Sequence, residues 1–271
     1  MTDPDRIRTH YGTQSLIERL KAALIVFGPE DQPLRPDQLG PLDQFHTLGS
    51  KATADLAALA GLTPATRVLD AGSGLGGPAR FLAATIGCHV TGIDLSAPFV
   101  EAARYLSART GQAGQTTFEV GSALDLPFAA GGFDAVLLQH VAMNIADRAG
   151  LYREIRRVLT SGGRFATFDI VAAGGEAVYP VPWARRPDES FLLDAEATRS
   201  TIEAAGFTTL AWRDDGEAAK AWFANLREAG PPAGPSLGTV MGPDFPELIG
   251  NLARNLGESR LGVVTGIFRA N

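Results

Sequence analysis

Cysteine is almost absent from this chain. Cys88 is the one thiol, so no intramolecular disulfide can form, and a reducing compartment fits. Basic charge is scarce too: Lys and Arg total 24 against 30 Asp and Glu, a net charge of −6. That balance leaves no basic footprint for a phosphate backbone and argues against a nucleic-acid partner. No apolar run reaches the roughly 18 residues of a membrane span, and Met1-Thr2-Asp3-Pro4-Asp5-Arg6 lacks the apolar stretch of a secretion signal. Four histidines and few clustered acids give no zinc-like spacing, so no metal is expected. What is present, 271 residues with 45% apolar and 20% charged, has the composition of a packed globular protein, expected in the cytoplasm.

Residues 1–62 read as helical and are expected to cap a core of residues 63–271. Ser15-Leu16-Ile17-Glu18 is a capping-box pattern, Leu20, Leu24 and Phe27 follow at helical spacing, and Gly28-Pro29 ends the run. A second helix is expected over Ser50–Ala60, with Leu56 and Leu59 on its apolar side and Gly61 as its stop. From Arg67 the rhythm changes to short apolar strands alternating with helices, the pattern of a parallel sheet covered on both faces. Strands are expected at Arg67–Asp70, His89–Asp94, Thr116–Val120, Phe133–Gln139, Arg164–Ile170, Phe207–Arg213 and Leu261–Arg269. Two long connections, 172–193 and 216–258, are expected to form pocket walls.

The strongest motif is Val68-Leu69-Asp70-Ala71-Gly72-Ser73-Gly74-Leu75-Gly76-Gly77, between an expected strand and an expected helix. Gly72, Gly74 and Gly77 satisfy the dinucleotide fingerprint literally, and Asp94 ends the next strand. Asp70 separates the readings. A carboxylate at this turn repels the pyrophosphate of a nicotinamide dinucleotide but favours S-adenosylmethionine, which carries an ammonium, a sulfonium and no phosphate. Asp94 then accepts from the ribose hydroxyls. The plain alternative makes Asp70 a helix-capping carboxylate.

With Gly92-Ile93-Asp94-Leu95-Ser96, Leu126-Pro127-Phe128, Phe133-Asp134 and Gly162-Gly163-Arg164 in order behind it, this turn resembles the motif series of class I S-adenosylmethionine-dependent methyltransferases. Phe45-His46-Thr47-Leu48-Gly49 and the long segment before the last strand resemble the small-molecule branch containing sarcosine/dimethylglycine and tocopherol methyltransferases. The resemblance implies an α/β, Rossmann-like, doubly wound seven-stranded sheet with its last strand antiparallel, capped by N-terminal helices. It implies methyl transfer from S-adenosylmethionine, with S-adenosylhomocysteine as product, to a small-molecule acceptor by in-line displacement. Two departures stand out. Ser122 takes the place of an acid after Gly121, and Leu138-Gln139-His140 replaces the Asn/Asp-Pro-Pro-Tyr pattern of enzymes that methylate adenine or glutamine amides.

The donor is accordingly expected at Asp70, Gly72, Ser73, Gly74, Gly77 and Asp94, with Leu95, Ser122, Ala123 and Gln139 completing its site. His140 and His46 are the candidate catalytic groups, because an unperturbed imidazole titrates near pH 6.5 and can take a proton near neutrality. Each has a plain alternative: His46 as a cap of the Ser50 helix, and His140 as the group fixing the Met143-Asn144 turn. Substrate contacts are expected from Tyr11, Met143, Asn144, Tyr179 and Trp183, with Phe191 and Asp169 also in reach, Asp169 more readily as an acceptor for loop amides. A homodimer is left open. Other functions in play are an NAD-dependent oxidoreductase and a non-catalytic S-adenosylmethionine-binding module.

Overall fold

The computed structural model describes residues 15–271. Seven strands form one sheet in the order β3-β2-β1-β4-β5-β7-β6: β1 (Arg67–Ala71), β2 (His89–Asp94), β3 (Thr116–Val120), β4 (Phe133–Gln139), β5 (Leu159–Ala172), β6 (Phe207–Asp214) and β7 (Leu261–Ala270). The first five run parallel, and β7 is antiparallel to both its neighbours. The expected topology is the observed one.

Strand alternation builds two cores. Val68, Val90, Ala135, Leu137 and Ala166 face one side, beneath helices α3 (Ser50–Ala60), α4 (Gly77–Thr85), α5 (Ala97–Arg109), α8 (Gly216–Ala229) and α10 (Phe245–Gly257). Leu69, Ile93, Val136, Leu138 and Phe165 face the other, beneath α6 (Arg148–Val158) and α7 (Ala195–Ala204). Period two sends alternate residues to opposite faces, and each fully buried Leu, Ile or Val side chain contributes about 1.5–3 kcal/mol.

The N-terminal helices build a third cluster. The capping box at Ser15 and Glu18 starts α1 (Leu16–Leu24), whose Leu16, Leu20 and Leu24 are buried along one face. An additional helix, α2 (Pro36–Asp43), begins with Pro at its first position and buries Leu39 and Leu42. These leucines pack with Leu75 of the glycine-rich turn, with Ala102 and Leu106 of α5, and with Val240 of α9 (Leu237–Met241). The long connection 216–258 thus contains a short helix, α9, docked on α1 and α2.

Two local readings need correcting. Leu59 is 46% exposed, because the buried stripe of α3 runs through Ala52, Thr53, Leu56, Ala57 and Ala60. Strand β5 starts at Leu159 instead of Arg164, since Leu159 already pairs with Phe133 and the irregularity between Phe133 and Ala135 absorbs the extra length.

Candidate active site

The glycine-rich turn leaves the carboxyl end of β1 and is tied to β2, with Gly72 and Ser73 N–H both donating to the Ile93 carbonyl at 2.8 and 2.9 Å. Gly72 has φ 79°, and a Cβ there would lie 2.4 Å from a Val141 methyl. Gly77 opens α4 so close to α2 that a Cβ would meet the Asp43 carbonyl oxygen at 2.3 Å. Arg80 of α4 lies against Gly76 of the turn, where a Cβ would come within 3.0 Å of its guanidinium, and forms a buried ion pair with Asp43 at 2.6 Å.

Asp94 accepts from Gly74 N–H at 2.8 Å through one oxygen and from Ser96 N–H at 2.9 Å through the other. Each oxygen keeps a second lone pair for a ligand hydroxyl. Asp70 caps nothing: the N-cap of α4 is Gly76, with no side-chain bond. Its carboxyl is 2% exposed, and one of its oxygens has no partner. Burial, with the Asp94 charge adding, pushes its pKa up to about 7. Ser73 Oγ is buried without a partner as well. Beside the turn, Leu95 is 48% exposed, Ala123 is half-buried, and Ser122 Oγ accepts from Leu124 N–H at 3.1 Å.

The second group of candidate residues lies where β4 ends against the segment ahead of β1. Gln139 is buried, and its Oε1 lies 3.1 Å from Thr53 Oγ1 of α3. Thr53 Oγ1 also lies 3.3 Å from His46 Nε2, while His46 Nδ1 is 3.2 Å from the Thr47 carbonyl oxygen. His46 therefore does not cap α3, whose N-cap is Gly49. His140 stacks on Phe168 (5.1 Å, 12°) with its Nε2 3.4 Å from Thr47 Oγ1. It does not fix the Met143-Asn144 turn either, because Asn144 closes that turn on the Val141 carbonyl with its own N–H and side chain. Burial lowers both histidines, His46 to about 4 and His140 well below its ordinary value, so both rings are neutral at pH 7. Thr47, Thr53 and Phe168 were not singled out from the sequence. The one available signal was a Thr on the otherwise apolar stripe of α3.

Asp169 is buried, with one oxygen accepting from Ile170 N–H and the other 3.9 Å from Arg148. Burial pushes it up to about 7, and its neighbours make it an internal anchor. Met143 is in the core, and its carbonyl accepts from Phe191 N–H; Asn144 is exposed. Trp183 packs against the same core and donates Nε1–H to Ser190 at 2.8 Å, while Tyr179 is half-buried. Tyr11 and His10 lie outside the described residues. No group of His, Cys, Asp and Glu suited to a metal ion occurs among the described residues.

The two long connections hold each other. Asn255 of α10, fully buried, accepts from Val178 N–H at 2.7 Å and donates to its carbonyl at 2.8 Å, and Asn251 donates to the Pro180 carbonyl. Asn255→Ala strands both Val178 groups, a cost of about 2 kcal/mol or more. The expected result is a melting temperature lower by several degrees and protease cleavage within 172–194 before the rest of the chain is cut. A protease-resistant loop in that variant refutes the clamp.

Residues 69–167 match the family model described as a methyltransferase domain. Glycine/sarcosine/dimethylglycine N-methyltransferase of Actinopolyspora halophila is 33% identical over 49% of this chain and 24% of its own length. Tocopherol O-methyltransferase of Arabidopsis thaliana is 36% identical over 42% and 34%. The matched stretch therefore spans about a quarter to a third of these relatives. Among solved structures, the geranyl diphosphate C-methyltransferase of Streptomyces coelicolor, bound to S-adenosylhomocysteine, superposes with a TM-score of 0.68 at 18% identity, covering 83% of this chain and 77% of its own. The [4+2]-cyclase SpnF superposes at 0.67 and 22% identity, covering 94% and 92%, so the fold by itself does not specify the reaction. Residues 69–167 thus match a methyltransferase-domain model, and the chain shares its fold with the geranyl diphosphate C-methyltransferase solved with S-adenosylhomocysteine.

Proposed function

We propose that this protein transfers a methyl group from S-adenosylmethionine to a small acceptor with an apolar portion. The observation that carries the reading is three buried polar atoms without a protein partner at one edge of the sheet: Asp70 Oδ2, Ser73 Oγ and one amide atom of Gln139. Buried polar groups in folded proteins are almost always paired, so such a cluster at the carboxyl ends of β1 and β4 marks a ligand site. An acid among them suits a cationic ligand and opposes a pyrophosphate, which weighs against the nicotinamide reading.

When bound, the donor supplies a methyl group already activated on a sulfonium. What falls to the chain is alignment and the exclusion of water. Asp70 receives the ammonium, Asp94 the ribose hydroxyls, and Leu95 and Ala123 line the adenine side with Ser122. His140 takes the proton of a nucleophile that must lose one, through Nδ1, which has no partner among the described residues. Of the expected cap, 1–62, the described residues 15–62 cover this site, and 172–193 and 216–258 wall the acceptor. The lone, buried Cys88 supports a cytoplasmic setting. Among the described residues no helix is long and apolar enough to cross a membrane.

A thermal-shift titration tests the donor. S-adenosylhomocysteine is expected to raise the melting temperature saturably and NADH to leave it unchanged; the reverse pattern overturns the reading. Transfer of labelled methyl from S-adenosylmethionine to a fractionated pool of small metabolites then separates an enzyme from a silent binding module.

A further inference from the structure

Thr53 stands in the first turn of α3, wholly buried, with one hydroxyl between two groups that both need its proton: His46 Nε2 at 3.3 Å and Gln139 Oε1 at 3.1 Å. A hydroxyl has one proton to give. His46 decides where it goes. Its Nδ1 faces the Thr47 carbonyl oxygen at 3.2 Å, a group that only accepts, so Nδ1 carries the ring proton. The ring is 4% exposed, with Phe168 edge-on at 6.1 Å, and burial keeps it neutral. Nε2 is therefore a lone pair, and it takes the Thr53 proton.

Gln139 must then donate to Thr53 Oγ1. The two ends of a carboxamide have the same shape, and the hydrogen-bond network assigns them. Turning the amide by half a revolution places its NH₂ against Thr53 and gives the facing atoms of His46, Thr53 and Gln139 complementary donors and acceptors. The amide position that has no protein partner then holds the carbonyl oxygen, an acceptor.

Asp70 pairs with Leu137 across β1 and β4. Leu137 and Val68 belong to the core under α3, so period two puts Asp70 and Gln139 on that same face, two residues apart along the sheet's carboxyl edge. Two buried acceptors, one of them acidic, stand together there. A primary ammonium offers three N–H donors and a positive charge, which meets both; a carboxylate meets neither. We propose that Thr53, set by His46, is a positioning residue that turns the Gln139 carbonyl toward the α-ammonium of the methyl donor, beside Asp70. The inference rests on the donor reading above.

Calorimetry on the full chain tests it, with S-adenosylhomocysteine and the analogue whose α-amino group is replaced by hydrogen. In the wild type, deleting the amino group is expected to weaken binding about a hundredfold. In Thr53→Val, of the same shape but without the hydroxyl, that penalty is expected to shrink about tenfold while the deaminated analogue binds as before. Thr53→Ser is expected to restore the full penalty. A packing role alone would weaken both ligands equally, and that result overturns the proposal.

Nitrogen NMR of histidine-labelled wild type adds a readout that needs no variant. His46 is expected neutral with its proton on Nδ1; a charged ring, or a proton on Nε2, overturns the assignment. Failure of the wild type to bind S-adenosylhomocysteine would sink the donor reading. Normal binding with an unchanged penalty in Thr53→Val would sink only this inference.

Discussion

In His140→Gln the single-turnover methyl-transfer rate is expected to fall by about 10²–10⁴-fold, with S-adenosylhomocysteine affinity retained. The ring is held from several sides. Its residue sits at φ 52°, a conformation that non-glycine residues adopt at a cost. Its N–H donates to the Phe168 carbonyl at 2.8 Å, its ring stacks on Phe168, and its Nε2 meets Thr47. Gln can still make a polar contact but cannot act as a base near neutrality, so a drop below tenfold would assign His140 to positioning. The pH profile is a second check. An exposed imidazole would put a limb near pH 6.5, whereas burial lowers this one well below that. His140 is thus in its basic form throughout neutrality, and its limb is expected on the acid side of 6.5. A wild-type limb at 6.5 that vanishes in the variant would contradict the burial argument.

Asp70→Asn is expected to weaken S-adenosylhomocysteine binding about a hundredfold at pH 8, because it removes a buried charge from a charge-assisted contact. The effect should depend on pH. Asp70 is pushed up to about 7 in the ligand-free fold, so wild-type affinity rises between pH 6.5 and 8 as the carboxylate forms. Stability moves the opposite way. Asp70 and Asp169 both titrate near 7 when folded but near 3.9 in an unfolded chain. Between those values the folded state binds more protons, so stability falls as pH rises. Histidines lowered by burial have the reverse sign, but they act mainly below about 6.5, where an unfolded imidazole charges. From 6.5 to 8 the unfolded imidazoles lose their remaining half proton each, and the acids titrating near 7 outweigh them. The ligand-free wild type is therefore expected to melt lower at pH 8 than at 6.5, with a shallower fall in Asp70→Asn and a smaller one with ligand bound. A wild-type melting temperature and affinity that are both flat across this window would refute the burial of Asp70.

Alternating apolar residues made the strands readable from sequence, since Val68, Leu69, Val136 and Leu137 reach two different cores one residue apart. The turn of Gly72 to Gly77 was equally readable because its chemistry is local. Helix α2 escaped because Gly40 and Pro41 interrupt it, and its hold comes from Leu39 and Leu42 packing on distant leucines. The short helix α9 escaped for the same reason, since Val240 is fixed by the capping segment and not by its own neighbours. In the site, His46, Gln139 and His140 carried visible chemistry, but their partners did not. Thr53 meets Gln139 from 86 positions away and Thr47 meets His140 from 93, and no spacing rule reaches that far. The neutral state of both histidines was hidden as well, because it arises from burial and not from residue type.

The cluster shared by Leu75, Leu20, Leu39 and Val240 bears on any attempt to re-engineer the acceptor. Residues 216–258 look like a cassette that could be exchanged for the matching segment of a relative. Val240, however, is fully buried in the cluster that the leucines of α1 and α2 build, and that same cluster includes Leu75 of the turn proposed to bind the donor. A transplanted cassette with a different side chain at that place would leave a void or a clash against the capping helices, and Leu75 would feel it. Changing specificity by segment exchange in this fold means moving α1, α2 and the 216–258 segment as one matched set.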